Sequence, residues 1–306
     1  MKNAVVFPGQ GSQYVGMGLD LFTNSEFAKK KFIEADEILG YSLSRICFEG
    51  PLETLKETRY TQPALFVHST ILYDLVKEKI TFEATAGHSV GEYSALYAAG
   101  VISFADALKI VSLRANLMFN SGIKKPGTMF AVIGLDDEKV KQICEEATAE
   151  SATEVIVPAN YNSPGQLVVS GSKSLLQNTA IKFKEAGAKM VKELVVSGAF
   201  HSPLLEDAAQ ELSTAINSSN FADAKFPVFL NTTSSPETDK IVIKDALIKQ
   251  LTSPVLWSQI MQNMKNVGFD SFYEIGAGNV LQGLIKRTLS DVKIYGIDKF
   301  ENLLNI

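Results

Sequence analysis

Residues 84–96 read ATAGHSVGEYSAL, with Ser89 between Gly87 and Gly91. A serine in a G-x-S-x-G pattern can sit on a sharp strand-to-helix turn that lifts its hydroxyl clear of the backbone, ready to take an acyl group. The same pattern also suits a small-residue junction in which the serine only caps the helix. In the first reading the following helix offers a free N–H, that of Val90, to an oxyanion. Such a serine needs a neighbouring base. The chain holds three histidines, His68, His88 and His201. His88 adjoins Ser89 and is expected to project away from it, packing or hydrogen bonding under the turn. His68 lies in the apolar helical segment ALFVHSTILYDLV, where a satisfied, partly buried ring is expected. His201 follows VSGAF at the expected end of a strand, where α/β folds place functional groups. By elimination it is the base.

A third group should orient the histidine. Between residues 89 and 201 the acids Asp106, Asp136 and Asp137 each fall at a helix start, where capping and macrodipole chemistry explain them. The site is therefore expected to lack a carboxylate orienter, and a neutral carbonyl can hold the imidazole tautomer instead. Arg114 is a separate signal. On the helix expected over 104–120, Ala107, Ile110, Val111, Arg114, Leu117 and Met118 share one face, while Asp106, Lys109, Ser112, Asn116 and Asn120 fall elsewhere. A guanidinium on an inward stripe needs an anion. Either an internal Asp or Glu supplies it, or a substrate carboxylate does, held bidentately. Two glycine loops, FPGQGSQ at 7–13 and EIGAGNVLQG at 274–283, lack the lysine or third glycine of nucleotide-phosphate loops.

These residues need a scaffold. The 306 residues are 46% hydrophobic and 21% charged, enough for a large core. A net charge of −5 speaks against nucleic-acid binding. Two cysteines, Cys47 and Cys144, are too few for a disulfide framework, so a reduced, cytoplasmic setting is expected. The residues before PGQG are too short for a signal-peptide core, and no apolar run approaches the ~20 residues that span a bilayer. Strands are expected at NAVVF, 83–87, FPVFLN, SFYEIG and VKIYGI. Helices are expected near 25–39, 61–78, 90–99, 104–120, 202–217, 242–251, 256–266 and from Asn279. That alternation favours a mainly parallel sheet covered on both faces. Between them, residues 127–198 run β-α-β-β-α-β, the ferredoxin-like split βαβ order. This segment is read as an insert between core segments 1–126 and 199–306.

FPGQGSQ, GHSVGEYSAL, Arg114, NYNSPGQLVVSG, GAFHS, IKQLTSPVLW and EIGAGNVLQGLIKR together resemble the malonyl-CoA:acyl-carrier-protein transacylase family, in order from residue 4 to about 290. The resemblance implies an α/β-hydrolase-like core with the ferredoxin-like insert. It implies a Ser89–His201 dyad, a Gln250 carbonyl orienting His201, and an oxyanion hole at the N–H groups of Gln10 and Val90. Arg114 would hold the malonyl carboxylate, agreeing with the helix-face argument. Asn160, Asn162 and Asn231 match motif positions near the site, and Phe200 before the histidine matches a pattern associated with malonyl preference. The implied reaction is ping-pong transfer from malonyl-CoA to the phosphopantetheine thiol of an acyl carrier protein, for fatty-acid or polyketide assembly. It needs no metal or cofactor, and the expected protein is a monomer without membrane or nucleic-acid partners. A serine thioesterase shares the elbow and base but has no need of Arg114. An acidic carrier protein would dock on a basic patch. Lys182, Lys184, Lys189, Lys192, Lys286 and Arg287 are candidates, or else form a plain solvated face.

Overall fold

The computed structural model describes residues 2–304. The strands, in chain order, are β1 Lys2–Phe7, β2 Ala84–Gly87, β3 Gly127–Ile133, β4 Ile156–Ser163, β5 Gln166–Ser172, β6 Met190–Glu193, β7 Val228–Phe229, β8 Pro236–Glu237, β9 Phe269–Ile275 and β10 Lys293–Ile297. They form two sheets. The first has the order β10-β9-β1-β2-β7-β8. Its pairings are parallel except the last, β7 with β8. The second has the order β4-β5-β3-β6 and is antiparallel. The fold is thus mixed α/β with a mainly parallel main sheet, as the alternation of elements predicts.

In β1 the last four residues, Ala4 to Phe7, are all buried, because the parallel sheet is covered on both faces. Val5 and Phe7 enter one cluster of apolar side chains, and Ala4 and Val6 enter another. The register places Phe7 beside Gly87. The loops leaving β1 and β2 therefore emerge side by side at the carboxyl edge, carrying Gln10 and Ser89 respectively. The helix Thr58–Val76 lies in the first cluster and buries 15 residues, His68 among them.

The smaller sheet sorts its side chains by the two-residue period of a strand. Phe130 and Val132 on β3, and Leu167 and Val169 on β5, pack with Val140, Ile143 and Phe183 from the helices Asp137–Ala149 and Lys173–Glu185. Met129 and Val168, on the opposite face, join the main core. Backbone bonds tie the two sheets' segments together: Val255 N–H donates to Ala159 O at 2.8 Å, and Tyr161 N–H donates to Val255 O at 2.9 Å. That junction sets the 250–257 segment against β4.

Three expectations are corrected. The strand expected through KMVKELVV stops at Glu193, so His201 does not sit at a strand end. Leu194 N–H still bonds Met129 O, but Val196 N–H turns back to Leu194 O, and the chain leaves the sheet. FPVFLN shortens to Val228–Phe229, because the chain turns from the sheet and Ser234 N–H bonds back to Leu230 O. His68 is wholly buried and unsatisfied, with neither ring nitrogen hydrogen-bonded and Nε2 3.5 Å from Asp298 Oδ1. Its helix is buried at every position from Thr61 to Tyr73, so around His68 it offers no half-exposed face.

Candidate active site

Ser89 occupies a left-handed backbone conformation, φ 53°, between β2 and the helix Gly91–Ala98. For a residue with a Cβ this costs about 1–2 kcal/mol. The flanking glycines make the turn possible. A Cβ on Gly87 would lie 2.0 Å from the Gly91 carbonyl carbon, and one on Gly91 would lie 2.2 Å from Phe7 O. Asn231, fully buried, clasps the turn from outside: its Oδ1 accepts from Ser89 N–H at 2.8 Å and its Nδ2 donates to Gly87 O at 2.6 Å.

His201, also left-handed at φ 56°, places Nε2 2.8 Å from Ser89 Oγ. Its Nδ1 faces two main-chain carbonyls, Gln250 O at 2.9 Å and Ser253 O at 3.2 Å. Carbonyls only accept, so Nδ1 carries the proton and Nε2 presents a lone pair to the serine. Burial, and then the nearby Arg114 charge, push the imidazole down to about 3. It is neutral at physiological pH, with the Nε2 lone pair facing the serine hydroxyl.

Arg114 is 0% exposed. The helix Phe104–Lys124 buries Ala107, Ile110, Val111 and Met118 with it, as the face analysis predicts, while Leu117 is only half-buried. Its Nη1 donates to Gln62 Oε1 at 2.6 Å, and its Nη2 donates to Gln250 Oε1 at 2.9 Å and Ser89 Oγ at 3.0 Å. All three acceptors are uncharged. Among the described residues Arg114 forms no ion pair. Of the two anion sources open to the sequence, an internal salt bridge is absent from this site.

A partly open cleft runs over these groups. Gln10, Gln62, His88, Ser89, Asn160, Asn162 and His201 give it polar edges, and Val90, Met118, Met129, Val168, Leu194, Val196 and Phe200 give it an apolar wall. Val90 precedes the first residue of its helix, so its N–H has no acceptor within that helix. The Gln10 side chain donates to Thr58 Oγ1 at 3.2 Å. His88 lines the cleft. Its Nε2 is 2.8 Å from Asn162 Oδ1, and its ring is 5.6 Å from that of Trp257. Asn231 does not line the cleft and acts through the backbone of the turn.

Gln62, Ser253 and Glu92 belong to this network and were not singled out in the sequence. Gln62 precedes Pro63 inside a long apolar helix, and nothing local marks it. Glu92 lay in plain view in GHSVGEYSAL, where a carboxylate one turn after the serine reads as macrodipole chemistry. Asp106 and Asp136 are placed as capping predicts: Ser103 Oγ bonds Asp106, and Asp136 accepts from Glu138 and Lys139 N–H. The loop after β9 is closed to phosphate, because the buried Glu274 carboxylate accepts from Leu281 and Gln282 N–H at 3.0 and 3.1 Å. On the surface, Lys182 pairs with Glu150 at 2.8 Å and Arg287 donates to Gln166 at 2.6 Å. No helix among the described residues is long and apolar enough to cross a membrane.

Residues 4–298 match the family model described as acyl transferase domain. The chain is 44% identical over 302 residues to the malonyl CoA-acyl carrier protein transacylase of Staphylococcus aureus (strain MW2), covering 99% of this chain and 97% of that one. The acyl carrier protein S-malonyltransferase of Vibrio cholerae superposes with a TM-score of 0.94 at 41% identity, over 100% of this chain and 99% of the other. A malonyl-transacylase solved in complex with a type II PKS acyl-carrier protein gives 0.95 at 37% identity, over 100% and 98%. By sequence and by fold, this chain belongs to the malonyl CoA-acyl carrier protein transacylases of the acyl transferase family.

Proposed function

We propose that the protein transfers malonyl groups from malonyl-CoA to the phosphopantetheine thiol of an acyl carrier protein, through a malonyl ester on Ser89. The observation that carries this reading is the buried guanidinium, bonded only to uncharged acceptors, 3.0 Å from the candidate nucleophile. In a malonyl group one methylene separates the free carboxylate from the thioester carbonyl. A site that attacks the carbonyl and binds the carboxylate therefore needs nucleophile and cation as neighbours.

In the first half-reaction His201 Nε2 takes the Ser89 hydroxyl proton while Oγ attacks the thioester carbon. The Gln10 and Val90 N–H groups receive the oxyanion, and the Gln250 and Ser253 carbonyls hold the imidazolium that forms. The intermediate collapses by breaking the C–S bond, and His201 returns the proton to the departing CoA sulfur. In the second half His201 takes the proton of the carrier's thiol, sulfur attacks the ester carbon, and the Ser89 Oγ–C bond breaks as Oγ regains its proton. Arg114 holds the malonyl carboxylate throughout. The apolar wall, with Phe200 in it, limits water at the ester, which favours transfer over the thioesterase reading. Asn160 and the His88–Asn162 pair shape the opposite edge.

The same reading takes residues 127–198 as a ferredoxin-like insert in an α/β-hydrolase-like core made of 1–126 and 199–306. The β4-β5-β3-β6 order, its own apolar core and its antiparallel pairing support that division. It also takes the protein as a cytoplasmic monomer that needs no cofactor. Intact-mass measurement after mixing with malonyl-CoA tests the function. A malonyl adduct that maps to Ser89 and discharges onto a holo carrier protein is expected; folded protein without the adduct refutes the reading.

A further inference from the structure

Glu92 takes no part in the steps above, yet it is 1% exposed and stands one turn beyond the nucleophile. Its Oε1 accepts from Asn231 N–H at 2.9 Å, and its Oε2 accepts from Gln250 Nε2. Each partner reaches the reacting groups. Asn231 clasps the Ser89 turn, while Gln250 presents Oε1 to Arg114 Nη2, Nε2 to Ser89 O at 3.0 Å, and its main-chain carbonyl to His201 Nδ1. We propose that Glu92 is a positioning residue: by accepting hydrogen bonds only, it fixes the direction of the Gln250 side-chain amide and so aims Arg114 at the substrate carboxylate. The proposal rests on the reading of Arg114 given above.

The argument is one of donor and acceptor polarity. The two ends of a glutamine amide have nearly the same shape and opposite hydrogen-bonding character. An ionised carboxylate has no proton to give, so Glu92 holds Gln250 Nε2 toward itself, in the same sense as the Ser89 carbonyl. Oε1 is then left for Arg114, which has only donors. Burial is the largest influence on the Glu92 carboxyl and leaves it at about 7 even with Asn231 N–H, the Gln250 amide and the Arg114 charge favouring ionisation, so the acceptor-only form prevails above that pH. A glutamine at position 92 keeps the shape and loses the polarity. With its Oε1 on Asn231 N–H, its Nε2 meets Gln250 Nε2, donor against donor; turning the Gln250 amide over removes that clash at the loss of its bond to Ser89 O. Gln250 Nε2 then faces Arg114 Nη2, donor against donor, in a place where water cannot intervene. The guanidinium moves off its line to Ser89.

The test compares wild type, Glu92→Gln and Glu92→Asp for transfer of malonyl and of acetyl from their CoA thioesters. Glu92→Gln is expected to lower kcat/KM for malonyl-CoA more than for acetyl-CoA, narrowing the ratio by roughly tenfold or more, the order of one hydrogen bond to a charged group. Glu92→Asp keeps an acceptor-only end group and restores most of the ratio even where both rates fall. A folded Glu92→Gln protein with the wild-type ratio, or with both substrates slowed equally, overturns the proposal, since loosened structure alone does not discriminate between acyl groups. Should Glu92→Gln not fold, Glu92→Asp carries the test: a retained ratio supports the proposal, and a lost ratio with an intact malonyl-Ser89 adduct overturns it. Failure of wild type to form that adduct instead removes the transfer reading itself, and this proposal with it.

Discussion

Arg114 Nη2 donates to Ser89 Oγ across 3.0 Å, so the guanidinium and the His201 imidazole share one hydroxyl. The hydroxyl proton goes to His201 Nε2, and a lone pair of the same oxygen faces Arg114. On the function proposed above, a malonyl carboxylate entering the site would take over that Nη2 donor and free the lone pair for attack. On that reading, binding of the correct acyl group and release of the nucleophile are the same event.

Arg114→Ala is expected to lower kcat/KM for malonyl-CoA by about 10- to 100-fold, the range for lost hydrogen bonds to a charged group. Transfer of uncharged acetyl should be unchanged or faster. Rates onto a holo carrier protein with the two donors measure this, and an unchanged malonyl-to-acetyl ratio contradicts it.

Burial pushes all three histidines below the ordinary value of 6.5, His201 to about 3. The folded protein refuses protons that the unfolded chain accepts below 6.5. This contribution to stability is therefore present above 6.5 and is lost as pH falls toward 3. The buried carboxyls of Glu92 and Glu274, both pushed up to about 7, act in the opposite sense between 4.5 and 7. The imidazole proton resonances thus read the histidines more cleanly than bulk acid unfolding does. None should titrate with a midpoint near 6.5 while the protein stays folded. In Arg114→Ala the His201 midpoint should move up, because the guanidinium is the second cause of its depression.

Gly87→Ala tests the turn itself. Its Cβ would lie 2.0 Å from Gly91 backbone atoms, which cannot step aside as a side chain can. A loss of about 3 kcal/mol or more in urea unfolding is expected, at the upper end of overpacking costs, together with loss of the malonyl-Ser89 adduct. Wild-type stability in this variant would show that the strand and helix do not approach as closely as described.

Much of this protein was legible locally. The apolar run of β1, the capping residues at Ser103 and Asp136, and the buried stripe carrying Arg114 depend on neighbours within a few turns of chain. The order of strands and helices follows from the same short periods. So does the pattern of residues 127–198, whose elements the structure places within a few residues of expectation. Where local readings failed, enclosure was the reason. His68 looked half-buried from its own helix, and only the layers packed around that helix leave it sealed and unpartnered.

The sequence by itself determined which residue types were available: a serine on a glycine turn, a histidine by elimination, and a guanidinium on an apolar face that asks for an anion. The tertiary structure alone decided how they meet. Ser89 and His201 lie 112 residues apart, and Gln250 reaches Arg114 and the Ser89 backbone across 136 and 161 residues. A second carbonyl, from Ser253, joins Gln250 at Nδ1, and Glu92 turns from a helix-start acid into the acceptor on which Gln250 and Asn231 converge. Hydrogen-bond polarity is a property of the assembled network. Spacing along a chain can propose its members, but only packing sets which donor faces which acceptor.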